Sequence, residues 1–438
     1  MQTLFVGRSA ELNELKQLQK KEIASLVVIQ GRRRIGKSRL VEEFAKGQKL
    51  YSFAGIEPRK EITAQMQRDE FIRQFGEQTG LIGISMKNWG DIFTLLAKQV
   101  DKGRVIIFFD EISWMGSKDP TFLGKLKNAW DRQFSKNPRL MLILCGSVSS
   151  WIEKNILNNT AFLGRPHLYL CLEELTLKYC TYFWGDARKR ISAHEKFKLL
   201  SITGGVPRYL EMIDPKITAE ENIRQMCFNN NSPLLNEFER IFSDIFGKRS
   251  GIYRKIILLL INGPKSQEEI LLGLSRRKGG DISEYLNDLV LAGFASRDYT
   301  WHLNSGTISK LSNYRLKDNY IRFYLRYIQP NKEKIKKGIF QDISIVSLPA
   351  WETILGLQFE NVVINNQKEI LKLLRIRPEE VVFLNPYFQR KTLIQDACQI
   401  DLLIQTRFNN VYICEIKFKR KPIKITSGFI LEGNLKTT

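Results

Sequence analysis

Residues of a kind that handles phosphate chemistry sit in a few short stretches of this chain. Gly31-Arg-Arg-Arg-Ile-Gly36-Lys37-Ser38 fits G-x-x-x-x-G-K-[ST] without a mismatch. Two glycines at that spacing let the backbone curl so that successive N–H groups face phosphate oxygens, and a following helix adds its N-terminal dipole. Gly31, Arg34, Ile35, Gly36 and Arg39 form and flank this cradle. Lys37 is placed to reach β- and γ-phosphates, and the Ser38 hydroxyl to ligate Mg²⁺. ATP with Mg²⁺ is the ligand pair expected here.

A second stretch, Gly103-Arg-Val-Ile-Ile-Phe-Phe-Asp110-Glu111, delivers two carboxylates after five consecutive apolar residues. Such a run reads as a strand buried on both faces, with Asp110 and Glu111 at its C-terminal end, where doubly wound sheets hold ligands. Asp110 is placed to share the Mg²⁺ shell with Ser38. Glu111 is placed to orient and polarise a water for attack on the γ-phosphate, a general-base role. Arg139–Ser147 is a further buried strand ending in small polar residues. Ser147 reads equally as a γ-phosphate contact or a helix cap. Arg165, in a loop, reads as a solvated residue or as an arginine finger acting in trans in a homo-oligomer. Arg208, in Gly204-Gly-Val-Pro-Arg208, can reach back to phosphate or simply belong to a structural turn.

A third group lies near the C-terminus. Asp401 sits in an apolar strand, Gln399–Gln405, and a turn at Asn409-Asn410 leads to a strand expected over Val411–Phe418. Glu415 and Lys417, two apart, would share one face of that strand. Asp401 and Glu415 as ligands of Mg²⁺, with Lys417 beside them as a catalytic residue, could activate water at a phosphodiester. Glu360, on a preceding helix, adds a carboxylate. Their order resembles the PD-(D/E)XK nuclease fold, although only 21 residues follow Lys417. That is too few for the helix and strand which the fold adds, so this domain reads as degenerate or truncated.

The elements that must position these groups follow from hydrophobic spacing. Ser25–Gln30 is a β-branched strand running into the glycine loop; Leu40, Val41 and Phe44 mark one face of the helix after it. Ser9 can cap an opening helix carrying Leu12, Leu15 and Leu18. Further strands are expected at Lys49–Ala54 and His167–Leu172. Beyond residue 250 the character changes. Ser266-Gln-Glu-Glu269 is a capping box between helices at 252–261 and 281–293, and a β-like stretch follows. Three helices and a hairpin make a winged helix, which often enters the major groove of DNA. Arg276, Arg277 and Lys278 favour DNA there; Asp281, Glu284 and Asp288, read as an exposed face, oppose it. Tyr320, Phe323, Tyr324 and Tyr327 have the spacing of a packing face.

The whole chain sets bounds. Its 438 residues allow roughly three domains. A formal charge of +22 favours a polyanionic partner, DNA foremost. Six cysteines without a C-x-x-C pair, and three histidines, argue against a zinc module and for reduced thiols of a cytoplasmic protein. The longest aliphatic run, Ile256–Ile261, is too short for a bilayer, and no N-terminal signal is evident, so no membrane partner is expected.

Phe5-Val-Gly-Arg8, the glycine loop, the Asp110-Glu111 strand, Cys145-Gly-Ser147, Gly164-Arg165 and Gly204-Gly-Val-Pro-Arg208 occur in one order. In this the chain resembles the AAA-type P-loop ATPases of archaea and bacteria, related to the STAND group and more distantly to replication initiators. The resemblance covers residues 1 to about 230. It implies nucleotide at Lys37 and Ser38, Mg²⁺ near Asp110, a catalytic Glu111 and sensor roles for Ser147 and Arg208. The expected architecture is α/β throughout. A P-loop parallel-sheet core spans 1–175, a helical lid 176–247, a winged helix 248–330, a linker 331–348 and a small nuclease-like α/β domain 349–438. The expected activity is ATP hydrolysis acting with DNA; the alternative is a nucleotide-dependent regulatory switch whose nuclease-like part binds partners.

Overall fold

The computed structural model describes residues 5–81, 83–147, 149–276, 280–391, 396–408 and 410–419. The chain forms two compact units, residues 1–174 and 175–438. Arg277, Lys278, Asn409 and the tail beyond residue 419 lie outside the described residues.

In the first unit, β1 (Ser25–Gln30), β2 (Lys49–Ala54), β3 (Val105–Asp110), β4 (Leu140–Gly146) and β5 (Pro166–Cys171) make one sheet in the order β2-β3-β4-β1-β5. Every pairing is parallel. Alternation along β3 explains its unbroken apolar run. Val105, Ile107 and Phe109 enter one core with the helices Ala64–Thr79, Trp89–Gln99 and Phe122–Arg132. Ile106 and Phe108 enter the other, with the helices Ser9–Lys20 and Lys37–Phe44. A strand covered on both faces must be apolar at both parities. Phe109 packs edge-on against Phe53 and Phe71, so its truncation to Ala should cost about 3–5 kcal/mol.

Local chemistry fixes where elements begin. Thr63 and Asn88 cap their helices through side-chain oxygens. Ser9 does not: it is the first helical residue, and Arg8 holds the cap position without a side-chain cap. Arg8 is instead drawn inward, where its guanidinium donates to the carbonyls of Ile35 and Glu173 at 3.2 and 2.5 Å.

The second unit carries the helices Ser250–Leu260, Gln267–Gly273 and Gly280–Leu291 with a sheet of β6 (Lys265–Ser266), β7 (Ala295–His302) and β8 (Thr307–Leu316), ordered β6-β8-β7. The Ser266–Glu269 capping box is formed in both directions. Asp288 is not on an exposed face as the sequence reading had it. It is buried and accepts the Tyr253 hydroxyl hydrogen, one helical turn inward from Glu284. Tyr320, Phe323, Tyr324 and Tyr327 are all buried, as their spacing required.

A third sheet is antiparallel: β9 (Val381–Gln389), β10 (Cys398–Thr406) and β11 (Val411–Cys414), with β10 central. It is joined to the β7–β8 hairpin through Trp301. The indole stacks on Phe383 with centroids 4.8 Å apart, and its N–H donates to Gln405 Oε1 at 2.6 Å. Gln405 Nε2 returns a bond to the Leu303 carbonyl at 2.9 Å. The helix Trp351–Ile364 is bound in by a buried polar network. Arg322 donates to the carbonyls of Ile261 and Leu316 at 3.1 and 3.0 Å and to Gln358 Oε1 at 2.5 Å. Gln358 donates in turn to the carbonyls of Ser201 and Asn319, both at 2.8 Å. Burial pushes the Arg322 guanidinium down to about 9, with neighbouring Arg315 adding to the fall. Among the described residues no helix is long and apolar enough to cross a membrane.

Candidate functional site

The glycine loop leaves the C-terminal end of β1 with the backbone that its glycines permit. Gly31 has φ 151° and Gly36, at the N-cap of Lys37–Phe44, has φ 92°. A Cβ on residue 31 would lie 2.5 Å from the Leu172 carbonyl oxygen, so glycine is required for space as well as conformation. Arg34, at φ 72°, is held in the left-handed region without being glycine. Strain of that kind collects where a backbone must present its amides.

The Lys37 ammonium is buried and donates to the carbonyls of Gly31 and Arg32, at 2.9 and 3.1 Å, and to Ser147 Oγ at 2.8 Å. Ser38 Oγ donates to Asp110 Oδ2 at 2.6 Å. Ile35 is fully buried in the core, so its side chain serves packing; its carbonyl anchors Arg8. Arg39 lies along its own helix, with Nη1 3.3 Å from Glu42 Oε2.

Asp110 and Glu111 end β3, and the strand order places β4 between them and the loop. Ser147, just past β4, therefore touches both. It accepts from Lys37, donates its hydroxyl hydrogen to Glu111 Oε1 at 2.5 Å and its N–H to Glu111 Oε2 at 3.0 Å. Glu111 itself has φ 50°, ψ 52° and opens the short helix Ile112–Met115. Burial holds the Asp110 carboxyl above the usual carboxylate range; the Ser38 bond opposes this, Glu111 adds to it, and Lys37 pulls it back. A buried carboxylate short of positive charge, 2.6 Å from a hydroxyl, suits a hard cation with oxygen ligands.

Arg165 is committed within the unit: Nε and Nη2 donate to Asp131 Oδ1 and Oδ2 at 2.8 and 2.9 Å. Arg208 lies in the second unit, more than half exposed, and pairs with Glu211 at 3.0 Å. Arg8, known from the sequence only as the end of Phe5-Val-Gly-Arg8, braces the loop from behind through its bonds to the Ile35 and Glu173 carbonyls. Arg33 lies 5.7 Å over the Trp114 ring, beside the Glu111 turn. A tryptophan three residues after a strand-end Glu was the visible signal.

In the C-terminal sheet, β11 ends at Cys414, not at Phe418. The ladder breaks because the Asp401 side chain takes the Ile416 N–H, at 2.7 Å, in place of a strand carbonyl. Lys417 Nζ nonetheless meets Glu415 Oε1 at 2.6 Å, so those two residues do share a face. Glu360 is raised by burial and then by the charge of Asp401. Lys417 is raised chiefly by Glu415, with Asp401 and Glu360 adding. The four groups therefore lie within electrostatic reach of one another. Among the described residues, however, no three His, Cys, Asp or Glu side chains gather closely enough to hold a metal ion.

Residues 5–213 match the profile of a family described as an ATPase domain predominantly from Archaea. The first half of the chain carries a P-loop ATPase domain. Over 361 residues, 82% of this chain and 76% of the relative, the sequence is 27% identical to an uncharacterized protein of Methanocaldococcus jannaschii. The Walker-type ATPase of Pyrococcus abyssi superposes with a TM-score of 0.50 at 15% identity, covering 73% of this chain and 95% of that one. The ORC2 protein of Aeropyrum pernix, solved as ADPNP–ADP complexes, gives 0.44 at 14% identity, covering 77% and 96%. At 15% identity the likeness to the Pyrococcus abyssi ATPase is one of fold alone.

Proposed function

We propose that the ATPase domain binds ATP with Mg²⁺ at Gly31–Ser38 and hydrolyses it by a water that Glu111 orients, and that the second unit brings this cycle to DNA. The observation that carries the reading is the Ser147 bridge between Lys37 and Glu111, next to the Ser38–Asp110 pair. One residue just past the intervening strand links the phosphate-binding lysine to the water-orienting carboxylate. Lys37 would exchange its bonds to the Gly31 and Arg32 carbonyls for phosphate oxygens. Ser38 and Asp110 would hold the cation, which when bound neutralises charge on the transferring phosphoryl group. Glu111 would accept a proton from water as the bond to the γ-phosphorus forms and the β–γ bridging oxygen leaves with ADP.

Fluorescent-nucleotide titration and steady-state turnover test this together. Lys37→Ala should lose binding while keeping its fold, because its partners are two loop carbonyls and the Ser147 hydroxyl and not the apolar core. Glu111→Gln should bind and not turn over; turnover at the parental rate would hand the role to another group.

The action on DNA is supported by the charge of +22 and by exposed Arg276 shortly before the helix Gly280–Leu291, in a set of helices and strands that we read as a winged helix. A second reading concerns Glu360, Asp401, Glu415 and Lys417. Asp401 on the Ile416 amide, one residue from the Lys417–Glu415 pair, supports a phosphodiester site. The Lys417–Glu415 pair favours the regulatory alternative, in which a nuclease-like face binds partners. Metal-dependent cleavage of plasmid DNA separates them.

A further inference from the structure

β2 is an edge strand, and its outward N–H and C=O groups are met by glutamine side chains. Gln78 accepts from Ser52 N and donates to Ser52 O, both at 2.8 Å. Gln74 does the same for Ala54 at 2.8 and 3.0 Å, and Gln67 for Ile56 at 2.9 and 2.7 Å. Residues 67, 74 and 78 fall on one face of the helix Ala64–Thr79, while residues 52, 54 and 56 have the parity that faces outward. Each primary amide stands in for a backbone peptide, so the helix closes the edge as an extra strand would. The three rungs are not equivalent. Gln78 is exposed and Gln74 half-buried, but Gln67 is 2% exposed and lies past the end of β2.

What Gln67 fixes there is the backbone at Gly55 and Ile56, and Gly55 is pressed against the Glu111 turn. The Gly55 N–H donates to the Asp110 carbonyl at 3.1 Å, extending the β2–β3 ladder beyond Ala54. A Cβ on residue 55 would stand 2.9 Å from Met115 N, 2.9 Å from Trp114 Cβ and 3.0 Å from the Glu111 carbonyl oxygen. Two of those three neighbours are backbone atoms of the turn that Glu111 opens in a left-handed conformation, and they cannot rotate aside. The φ of Gly55 is not positive, so glycine is needed at this position for space alone.

We propose that Gly55 and Gln67 are positioning residues for Glu111: Gln67 clamps the strand end, and the bare Cα of Gly55 lets the Glu111 turn seat against it. The inference rests on Glu111 being the water-orienting carboxylate. A methyl group at residue 55 displaces the turn and with it the carboxylate, whereas none of the three atoms nearest that methyl belongs to the phosphate loop.

The test compares Glu111→Gln, Gly55→Ala, Gln67→Ala and Gln78→Ala in the full chain, reading kcat, nucleotide affinity and melting temperature. Gly55→Ala and Gln67→Ala should lower kcat roughly 10- to 100-fold, the scale of an ångström-sized misplacement, with affinity near the parental value. Gln78→Ala removes the same kind of rung two steps away and should keep the parental kcat. If Gly55→Ala does not fold, the Gln67→Ala and Gln78→Ala pair decides. Parental kcat in Gln67→Ala, an equal fall in Gln78→Ala, or affinity falling in step with kcat would overturn the proposal. Those results count against positioning only when Glu111→Gln itself is inactive; an active Glu111→Gln removes the underlying reading instead.

Discussion

Ser147 engages both carboxylate oxygens of Glu111, one through its hydroxyl at 2.5 Å and the other through its N–H at 3.0 Å. The same hydroxyl accepts from Lys37 at 2.8 Å. Held at two points, the Glu111 carboxylate is fixed in orientation, and the hydroxyl that fixes it is also bonded to the lysine of the glycine loop. The amide bond survives any substitution at this position except proline; the hydroxyl does not.

Ser147→Ala therefore isolates the hydroxyl. Turnover should fall by about 10-fold, a part of the 10²–10⁴ carried by a positioned general base. Nucleotide affinity should change much less, because Lys37 keeps its charge and the two glycine-loop carbonyls still hold it in place before phosphate takes over. Parallel single-turnover and binding measurements check this. An unchanged single-turnover rate would mean that the bridge plays no part in the chemical step.

Arg165 gives a prediction with a pH sign. Its two bonds to Asp131, with Lys127 at 3.0 Å, push that carboxyl down to about 2. A depressed carboxyl stabilises the fold above its unfolded pKa of ~3.9, and the contribution is lost as pH falls through the folded value. Arg165→Ala should thus melt lower than the parent at pH 7, with a gap that narrows between about pH 4 and pH 2. Both side chains are part-exposed, so the gap should not exceed roughly 1 kcal/mol. The pairing also bears on a finger acting in trans, since Arg165 would have to leave Asp131 first. Turnover per protomer should be independent of protein concentration and little altered by Arg165→Ala. A concentration-dependent rate lost in the variant would restore the finger.

The parts of this molecule legible in its sequence are those whose chemistry is local. Gly31–Ser38 and Val105–Glu111 announce themselves because the constraint on each residue comes from within a few positions: a backbone curl, or burial of a strand on both faces. Ser147 was ambiguous for the opposite reason. Its partners are 36 and 110 residues away, and only the strand order brings them together. Trp301 was read merely as part of a β-like stretch, because Phe383 and Gln405 are remote in sequence. Asp288 was misread because helical spacing tells which residues share a face and not how wide the buried face is; Tyr253 supplies the partner that makes burial tolerable. The end of β11 was misplaced because alternation continues past Cys414, while the ladder is broken by a side chain on the neighbouring strand.

Trp301 predicts the coupling within the second unit. Truncation to Ala removes a stacked, fully packed ring and leaves Gln405 Oε1 without its donor, so a loss of about 3–5 kcal/mol is expected. Scanning calorimetry should show the transition of residues 175–438 shifted down, with nucleotide binding by the ATPase domain retained. A loss below about 1 kcal/mol would mean that the hairpin and the C-terminal sheet are joined elsewhere.

The last prediction concerns the C-terminal sheet, where the two readings forecast opposite results. If Asp401 and Glu415 hold a divalent ion, the protein should nick plasmid DNA with Mg²⁺ or Mn²⁺. Asp401→Ala or Lys417→Ala should then abolish nicking and spare ATP hydrolysis, whose proposed residues Lys37, Ser38, Asp110 and Glu111 lie in the other unit. To hold the ion, Glu415 would release Lys417 and Asp401 would release the Ile416 amide, bonds of 2.6 and 2.7 Å. Losing the latter frees the Ile416 N–H, and Asp401→Ala should itself loosen residues 415–418. Lys417→Ala carries no such penalty, because its side chain is nearly half exposed. It is the cleaner variant. Divalent-dependent nicking by the parent, lost in Lys417→Ala, establishes a phosphodiester site. Absence of nicking across both metals, with DNA binding that weakens steeply as salt rises, leaves this face to a partner and the charge of +22 to the phosphate backbone.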